Sequence, residues 1–292
     1  PLRGTFGPLW RTFDRGCKAP PAVRLASEMN DSLPVTPKSP DRPLSAAFGG
    51  GGVFGIAYGL GVAHALIDAG VPLMTTPTIG TSAGAWVAAC IATDRGFAEL
   101  RDLPDIRVPD ATPGLLQNIA TTIFGDATSA LVTASAVQLP TMRHVLLPGD
   151  SIRLADLVAA SSSVPGIFRP ARFGGTSYVD GGVRSLVSAD HAAPARHLLV
   201  IAPIAGPMFG PAGRIMQGLL GREIRRWENA TNGKAHLIRP NAEIASLARH
   251  PLQLFDKARA ATAYPLARAQ TENLLSRADC RAALTDIQQW AA

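Results

Sequence analysis

Cysteine is scarce in this chain, and that scarcity excludes two classes of protein. Cys17, Cys90 and Cys280 are odd in number and scattered. They frame neither a disulfide scaffold nor a metal cluster. No grouping of His, Cys, Asp and Glu has metal-ligand spacing, so no metal and no cofactor is expected. Charged residues make up only 17% of the chain and aromatics 6%. Basic stretches interleaved with aromatics are missing, which argues against nucleic-acid binding. Charge is rarest across residues 44–93, where Asp68 is the one formally charged residue. A hydropathy window would flag part of that stretch as membrane-spanning. Glycine clusters, Pro72 and Pro77 instead divide it into strand, loop, helix and strand. Parallel strands covered on both faces read as such apolar runs. A charged segment leading into an apolar core and cleavage site is also missing, so secretion is not expected and a cytoplasmic location is.

Hydrophobic residues, at 47% of 292, suit a packed core rather than disorder. Pro1, Pro8, Pro20, Pro21, Pro34, Pro37, Pro40 and Pro43 break any regular element near the start. Residues 1–43 therefore read as a flexible tail and 44–292 as the folded domain. Within that domain strands alternate with helices, which places it in the α/β class. Strands are expected at 44–48, within 74–79, at 197–204 and at 235–238. Helices are expected at 56–69, 83–93, 213–230, 251–277 with a break at Pro265, and 281–290. Another is expected at 152–160, with Ser151 as its cap. Residues 172–178 read as a hairpin turning at Gly174-Gly175. Residues 94–150 give no clear pattern.

The most informative stretch is Gly80-Thr81-Ser82-Ala83-Gly84. It fits G-x-S-x-G, the strand-to-helix turn that exposes a serine. Small residues flank the serine because the backbone there is pinched between two elements. Gly80 and Gly84 support the turn, and Ser82 sits at a helix N-terminus, where unpaired amides favour negative charge.

Upstream, Gly49-Gly50-Gly51-Gly52-Val53-Phe54-Gly55 also lies between a strand and a helix. Glycines there let backbone N–H groups approach a ligand closely. Gly52 precedes Ser82 by about 30 residues, one β-α-β unit. A right-handed crossover would lay the two strands side by side with both loops at one sheet edge. The amides of Gly50, Gly51, Gly52 and Val53 could then bind the oxygen of a tetrahedral intermediate on Ser82. Two other readings stay open. Gly50, Gly52 and Gly55 also fit a dinucleotide fingerprint, but no acid stands at the end of the following strand. A plain tight turn is the second.

The third motif is Tyr178-Val179-Asp180-Gly181-Gly182. Asp180 closes the hairpin's second strand just before Gly181 and Gly182. An aspartate there can simply cap its own turn, or it can serve as a base. Ser82, Asp180 and His236 would alternatively follow the chain order of an α/β-hydrolase triad. Only one convincing strand precedes the elbow, however, and no histidine lies in a glycine-flanked loop.

These three motifs, with residues 159–170 between them, resemble the patatin-like phospholipase family across residues 44–205. The resemblance implies a three-layer α/β fold, with a mostly parallel central sheet flanked by helices. It implies Ser82 as nucleophile, Asp180 as base and Gly50, Gly51 and Gly52 as the oxyanion loop. It assigns residues 94–150 to the cap and part of an acyl groove. One departure stands out: Phe54 occupies the place of the family's usual basic loop residue.

The chemistry expected is serine acyl hydrolysis of phospholipids or acylglycerols. A serine hydroxyl needs a neighbour to take its proton, and a carboxylate can do so. The alternative is a non-catalytic lipid-binding or regulatory protein on the same fold. A lipid substrate is the expected partner. A net charge of +6 adds peripheral contact with an anionic membrane surface as a further expectation. The arginines near Trp227, with Met208 and Phe209, are a candidate edge for it; the favoured reading of that segment is a core-packing helix with a solvated basic face. No oligomeric state follows from these residues.

Overall fold

The computed structural model describes residues 41–102 and 108–291. The expected tail, 1–43, lies outside the described residues except for its last three. From Leu44 the chain enters β1 (Leu44–Phe48), turns through glycines into α1 (Gly52–Asp68), and returns as β2 (Thr78–Thr81). Two helices follow β2 directly, α2 (Ala83–Ala92) and the short α3 (Phe97–Arg101). Next come α4 (Leu115–Phe124), β3 (Val132–Leu139), β4 (Arg143–Pro148) and α5 (Leu154–Ser162). A hairpin, β5 (Ala171–Phe173) and β6 (Thr176–Asp180), precedes β7 (His197–Ile201). The chain closes with α6 (Gly210–Thr231), β8 (Lys234–Ile238), α7 (Ala242–Ala245), α8 (Lys257–Leu275) and α9 (Ala278–Ala291).

Among the described residues, eight strands form one sheet, in the order β5-β6-β3-β2-β1-β7-β8, with β4 on the other edge of β3. Strands β3, β2, β1, β7 and β8 run parallel, while β4 and β6 run antiparallel to β3. Side chains alternate across a strand, and the two faces serve two cores. Leu44, Ala46 and Phe48 of β1, with Leu199 and Ile201 of β7, face α1, α2, α4, α5 and α8. Ala47, Leu198 and Val200 face the other way, against Leu220 and Trp227 of α6. The result is three layers with the parallel strands buried on both sides, as the apolar runs demand.

Several local expectations need correction. Helix α5 starts at Leu154 after Arg153, not after a Ser151 cap; Arg153 bonds Asp156 and Asp126 instead. Residues 73–75 form a single 3-10 turn, and the strand begins only at Thr78. Pro265 sits inside α8 without ending it. The segment 251–255 is a separate 3-10 turn. Trp227 and Met208 are buried. The Trp227 indole N–H donates to the Ala192 carbonyl at 3.1 Å, so neither side chain forms an outward edge. Among the described residues, no helix is long and apolar enough to cross a membrane.

Helix α2 lies unusually close to the sheet. A Cβ on Gly84 would stand 1.9 Å from the Phe48 carbonyl oxygen of β1, and one on Gly80 would stand 2.5 Å from Ala85. Both positions therefore require glycine. Gly84→Ala should destabilise the fold by ~3 kcal/mol or more, because the obstacle is backbone. Gly218, within α6, has open space around its Cα. Gly218→Ala should stabilise by up to ~1 kcal/mol. Urea midpoints of the two variants against the parent chain check both signs.

Candidate active site

The site is made where two strands meet. β2 runs parallel to β3 and pairs with it as far as Thr81 opposite Ser135. β6 runs antiparallel to β3 and ends at Asp180 opposite Ala136. β4 occupies the other edge of β3 along the same stretch. β2 and β6 therefore share one edge and approach carboxyl end to carboxyl end. Ser82 and Asp180, far apart in sequence, become neighbours across that junction.

Ser82 has φ 54° and ψ −121°, a left-handed backbone that costs a non-glycine residue about 1–3 kcal/mol. Serines at helix starts usually cap the first turn. Ser82 makes no such cap, which leaves its hydroxyl to interact with the Asp180 carboxyl. The strained turn is held from behind. The Ser82 amide donates to Ser161 Oγ at 2.9 Å, and Ser161 Oγ donates to the Ser135 carbonyl at 2.6 Å.

Asp180 is buried, and its two carboxylate oxygens differ. Oδ1 accepts the Gly182 amide at 2.6 Å, the self-capping turn that the sequence allowed. Oδ2 is buried and, among the described residues, has no hydrogen-bond partner of full geometry. Buried polar atoms are rarely left so. Burial pushes the carboxyl up to about 6. The nearby Ser82 hydroxyl and the Gly182 amide pull the other way, more weakly.

The glycine loop passes against the elbow, where a Cβ on Gly50 would stand 3.4 Å from Ser82 Cβ. The Gly50 amide itself donates to the Leu186 carbonyl at 2.9 Å and is not free to bind a ligand. Helix α1 begins at Gly52, so the amides of Gly52 and Val53 have no carbonyl one turn back. Gly51, at φ 150°, turns the chain into that helix. Gly52 and Val53 line the same groove as Ser82. Phe54 points away from the site; it is fully buried and stacked on Tyr58, with centroids 6.5 Å apart.

The groove is apolar. Ile56, Trp86, Leu116, Ile119 and Phe168 line it, with Arg101 and Lys257 at its margin. Residues 94–150 thus contribute to the wall through α3 and α4. Sequence reasoning missed the role of Ser161-Ser162-Ser163. Ser161 holds the Ser82 amide, Ser162 Oγ accepts the Trp86 indole N–H at 3.0 Å, and the Ser163 carbonyl accepts the Asp180 amide at 3.0 Å. A run of three serines closing an apolar helix was the available signal.

A second set of hydroxyls lies behind the elbow. Ser188 Oγ bonds both Thr81 Oγ1 at 3.1 Å and Ser135 Oγ at 2.9 Å. Ser135 Oγ in turn meets His144 Nε2 at 2.8 Å. Among the described residues no histidine hydrogen-bonds Ser82 or Asp180. His236 bonds His197 at 3.0 Å, and His197 bonds Asp286 at 2.6 Å. Burial, with His197 and Lys234 adding to it, lowers His236 to about 4.

The patatin-like phospholipase family model matches residues 46–110 and 108–193, which include both loops, Ser82 and Asp180. The chain belongs to the patatin-like phospholipase family. The crystal structure of VipD from Legionella pneumophila is similar, at 14% identity and a TM-score of 0.41; the match covers 80% of this chain. This chain spans 66% of that one. No curated protein matches the sequence.

Asp180 generates a pH prediction with two signs. A base must be ionised, so kcat/KM of any hydrolysis in which Asp180 accepts the proton should rise with pH through about 6 and level off above. Stability should run the other way. The folded carboxyl binds its proton more tightly than the unfolded one, so stability falls as pH rises from about 4 to about 6. Asp180→Asn should therefore be more stable than the parent at pH 7, by ~1–3 kcal/mol, and lose that advantage below pH 4. Urea melts at both pH values check it.

Proposed function

We propose that the protein hydrolyses fatty-acyl esters of glycerolipids through an acyl-Ser82 intermediate, with Asp180 as the base. The observation that carries this reading is the pairing of an uncapped, strained Ser82 with a buried carboxylate whose Oδ2 has no full hydrogen bond. A raised carboxyl is a better proton acceptor than an ordinary aspartate. Ser82 Oγ attacks the ester carbonyl carbon as its proton passes to Asp180 Oδ2. The resulting oxyanion accepts hydrogen bonds from the amides of Gly51, Gly52 and Val53, beside the N-terminus of α1. Collapse breaks the carbon–oxygen bond, and the departing alcohol takes the proton from Asp180. Water then attacks acyl-Ser82, Asp180 accepts its proton, and collapse returns that proton to Ser82 Oγ as the fatty acid leaves.

The apolar groove beside Ser82 suits an aliphatic chain, which gains about 0.8 kcal/mol per buried methylene. Arg101, itself ion-paired with Asp102 at 3.0 Å, and Lys257 also line the groove and suit an anionic head group. Phe54 lies in the core, so a basic loop residue is no part of this reading. That departure keeps a non-catalytic lipid carrier as the competing function.

A fluorophosphonate probe separates the two. The native chain should label, and Ser82→Ala should not. Turnover of a soluble short-chain ester should fall at least about 10³-fold in Ser82→Ala and in Asp180→Asn. A native chain that binds fatty acid yet neither labels nor turns over would leave the carrier reading standing. Ser161→Ala should lower kcat by ~10-fold or more with KM little changed, because it frees the Ser82 amide without touching the groove; steady-state kinetics on the same ester check this.

A further inference from the structure

We propose that the edge of the molecule carrying the groove docks on an anionic lipid bilayer, through apolar tips that each stand near an arginine. The proposal deepens the acyl-ester reading by naming the surface on which its substrate is met. Four exposed apolar side chains carry it: Met142, Val183, Ile215 and Leu252, the last two 66% and 68% exposed. Each is tied to the site by the chain or by a contact. Val183 lies three residues beyond Asp180, in the turn that closes β6. Met142 is in the β3–β4 turn, and its carbonyl accepts Arg184 Nη2 at 3.2 Å. Leu252 belongs to the 251–255 turn, in which the Leu254 carbonyl would stand 2.7 Å from a Cβ on Gly52. Ile215 is in the first half of α6, next to Met216, which lines one groove with Leu254 and Arg249.

The charges complete the pattern. Arg143, Arg184 and Arg214 directly adjoin Met142, Val183 and Ile215, and Arg249 lies three residues before Leu252. All four arginines are exposed. None of them forms an ion pair among the described residues. No carboxylate lies within two positions of any of the four tips. Met74 supplies the contrast. It is also exposed but precedes β2, at the far edge of the sheet, with no arginine or lysine within five positions. Of the other exposed apolar side chains, Leu146 and Leu237 lie within the edge strands β4 and β8, and Leu219 lies on α6 one turn beyond Ile215.

An apolar tip beside an unpaired arginine matches a bilayer interface, where the side chain enters the acyl boundary and the guanidinium meets a phosphate. A protein partner would call for a contiguous flat patch with few charges at its centre. Separated tips ringed by like charge fit lipid better. Each arginine near an anionic surface contributes roughly fivefold to partitioning.

The test is co-sedimentation of the full chain carrying Ser82→Ala, which leaves the lipid intact, with vesicles of pure phosphatidylcholine or of phosphatidylcholine with one third phosphatidylglycerol. Binding to the anionic vesicles should exceed binding to the neutral ones at least about tenfold and weaken at high salt. Joint replacement of Arg143, Arg184, Arg214 and Arg249 by Glu should abolish the difference. Joint replacement of Met142, Val183, Ile215 and Leu252 by Ser should cut binding at least about tenfold, whereas Met74→Ser should not. Circular dichroism and melting of these surface variants should match the parent. Equal binding to both vesicles, binding that survives either joint replacement, or association of the chain with itself in place of vesicle binding would overturn the proposal. Hydrolysis of a soluble short-chain ester, measured with Ser82 intact, keeps the two readings apart. If the ester turns over while vesicles go unbound, docking fails and the esterase stands. If vesicles are bound and no ester turns over, the reverse holds.

Discussion

Asp180 meets Ser82 because β2 and β6 divide one edge of β3 and run toward each other. A strand fixes direction as well as position, so the register of β3 determines both side chains at once. A slip of one residue in either pairing would turn the end residue to the opposite face. β4, on the far edge of β3, covers the stretch where the two strands meet and keeps that junction from being an exposed break. Ser82 and Asp180 therefore follow directly from the ends of two strands, which fixes their positions relative to each other.

The same junction carries much of the molecule's stored unfavourable energy. Ser82 holds a left-handed backbone, Asp180 is a carboxyl withdrawn from water, and Oδ2 lacks a full partner. Such features persist where the surroundings over-determine them. Here the surroundings are α5 and the small residues of α2. Three consecutive serines of α5 and its end separately fix the Ser82 backbone, the Trp86 indole and the Asp180 backbone. Gly84 lets α2 press onto β1, so the elbow cannot relax by lifting away.

The parts legible in the sequence were those whose cause is local. G-x-S-x-G forces its own turn, and the glycine run upstream marks a tight turn between a strand and a helix whatever it binds. β1, α1 and α2 followed from those turns. β3 was not legible, although it organises the site. Val132 to Leu139 alternates small and polar residues without a strong apolar run, because Ala134, Ser135 and Ala136 must leave room for strands on both edges and helices above. α5 was found but begun two residues early, since an Arg153 held by two carboxylates replaces the serine cap. Pro265 misled for a similar reason: packing of α8 on α1 outweighs the lost backbone bond. The histidine alternative shows the limit of chain order as a guide. His236 has the right place in sequence, yet it pairs with His197 on neighbouring strands.

In the proposed reaction the glycine loop would hold an anion without the family's usual cation, since Phe54 stands in that place. A basic side chain at this position would have to be buried in the core beneath α1, where an unpaired charge is costly. Phe54 instead packs there against Tyr58, which anchors the start of α1 by burial rather than by charge. The Gly50 amide, tied to Leu186, anchors the preceding residue. With both ends fixed, the amides of Gly51, Gly52 and Val53 lie in a turn of set geometry. Preorganised dipoles need no reorganisation when negative charge develops. A loop stiffened by packing can therefore do the work of one assisted by a cation, provided the groove excludes water; the apolar wall of Ile56, Trp86, Leu116 and Phe168 beside it is what would do so once a chain lies in place.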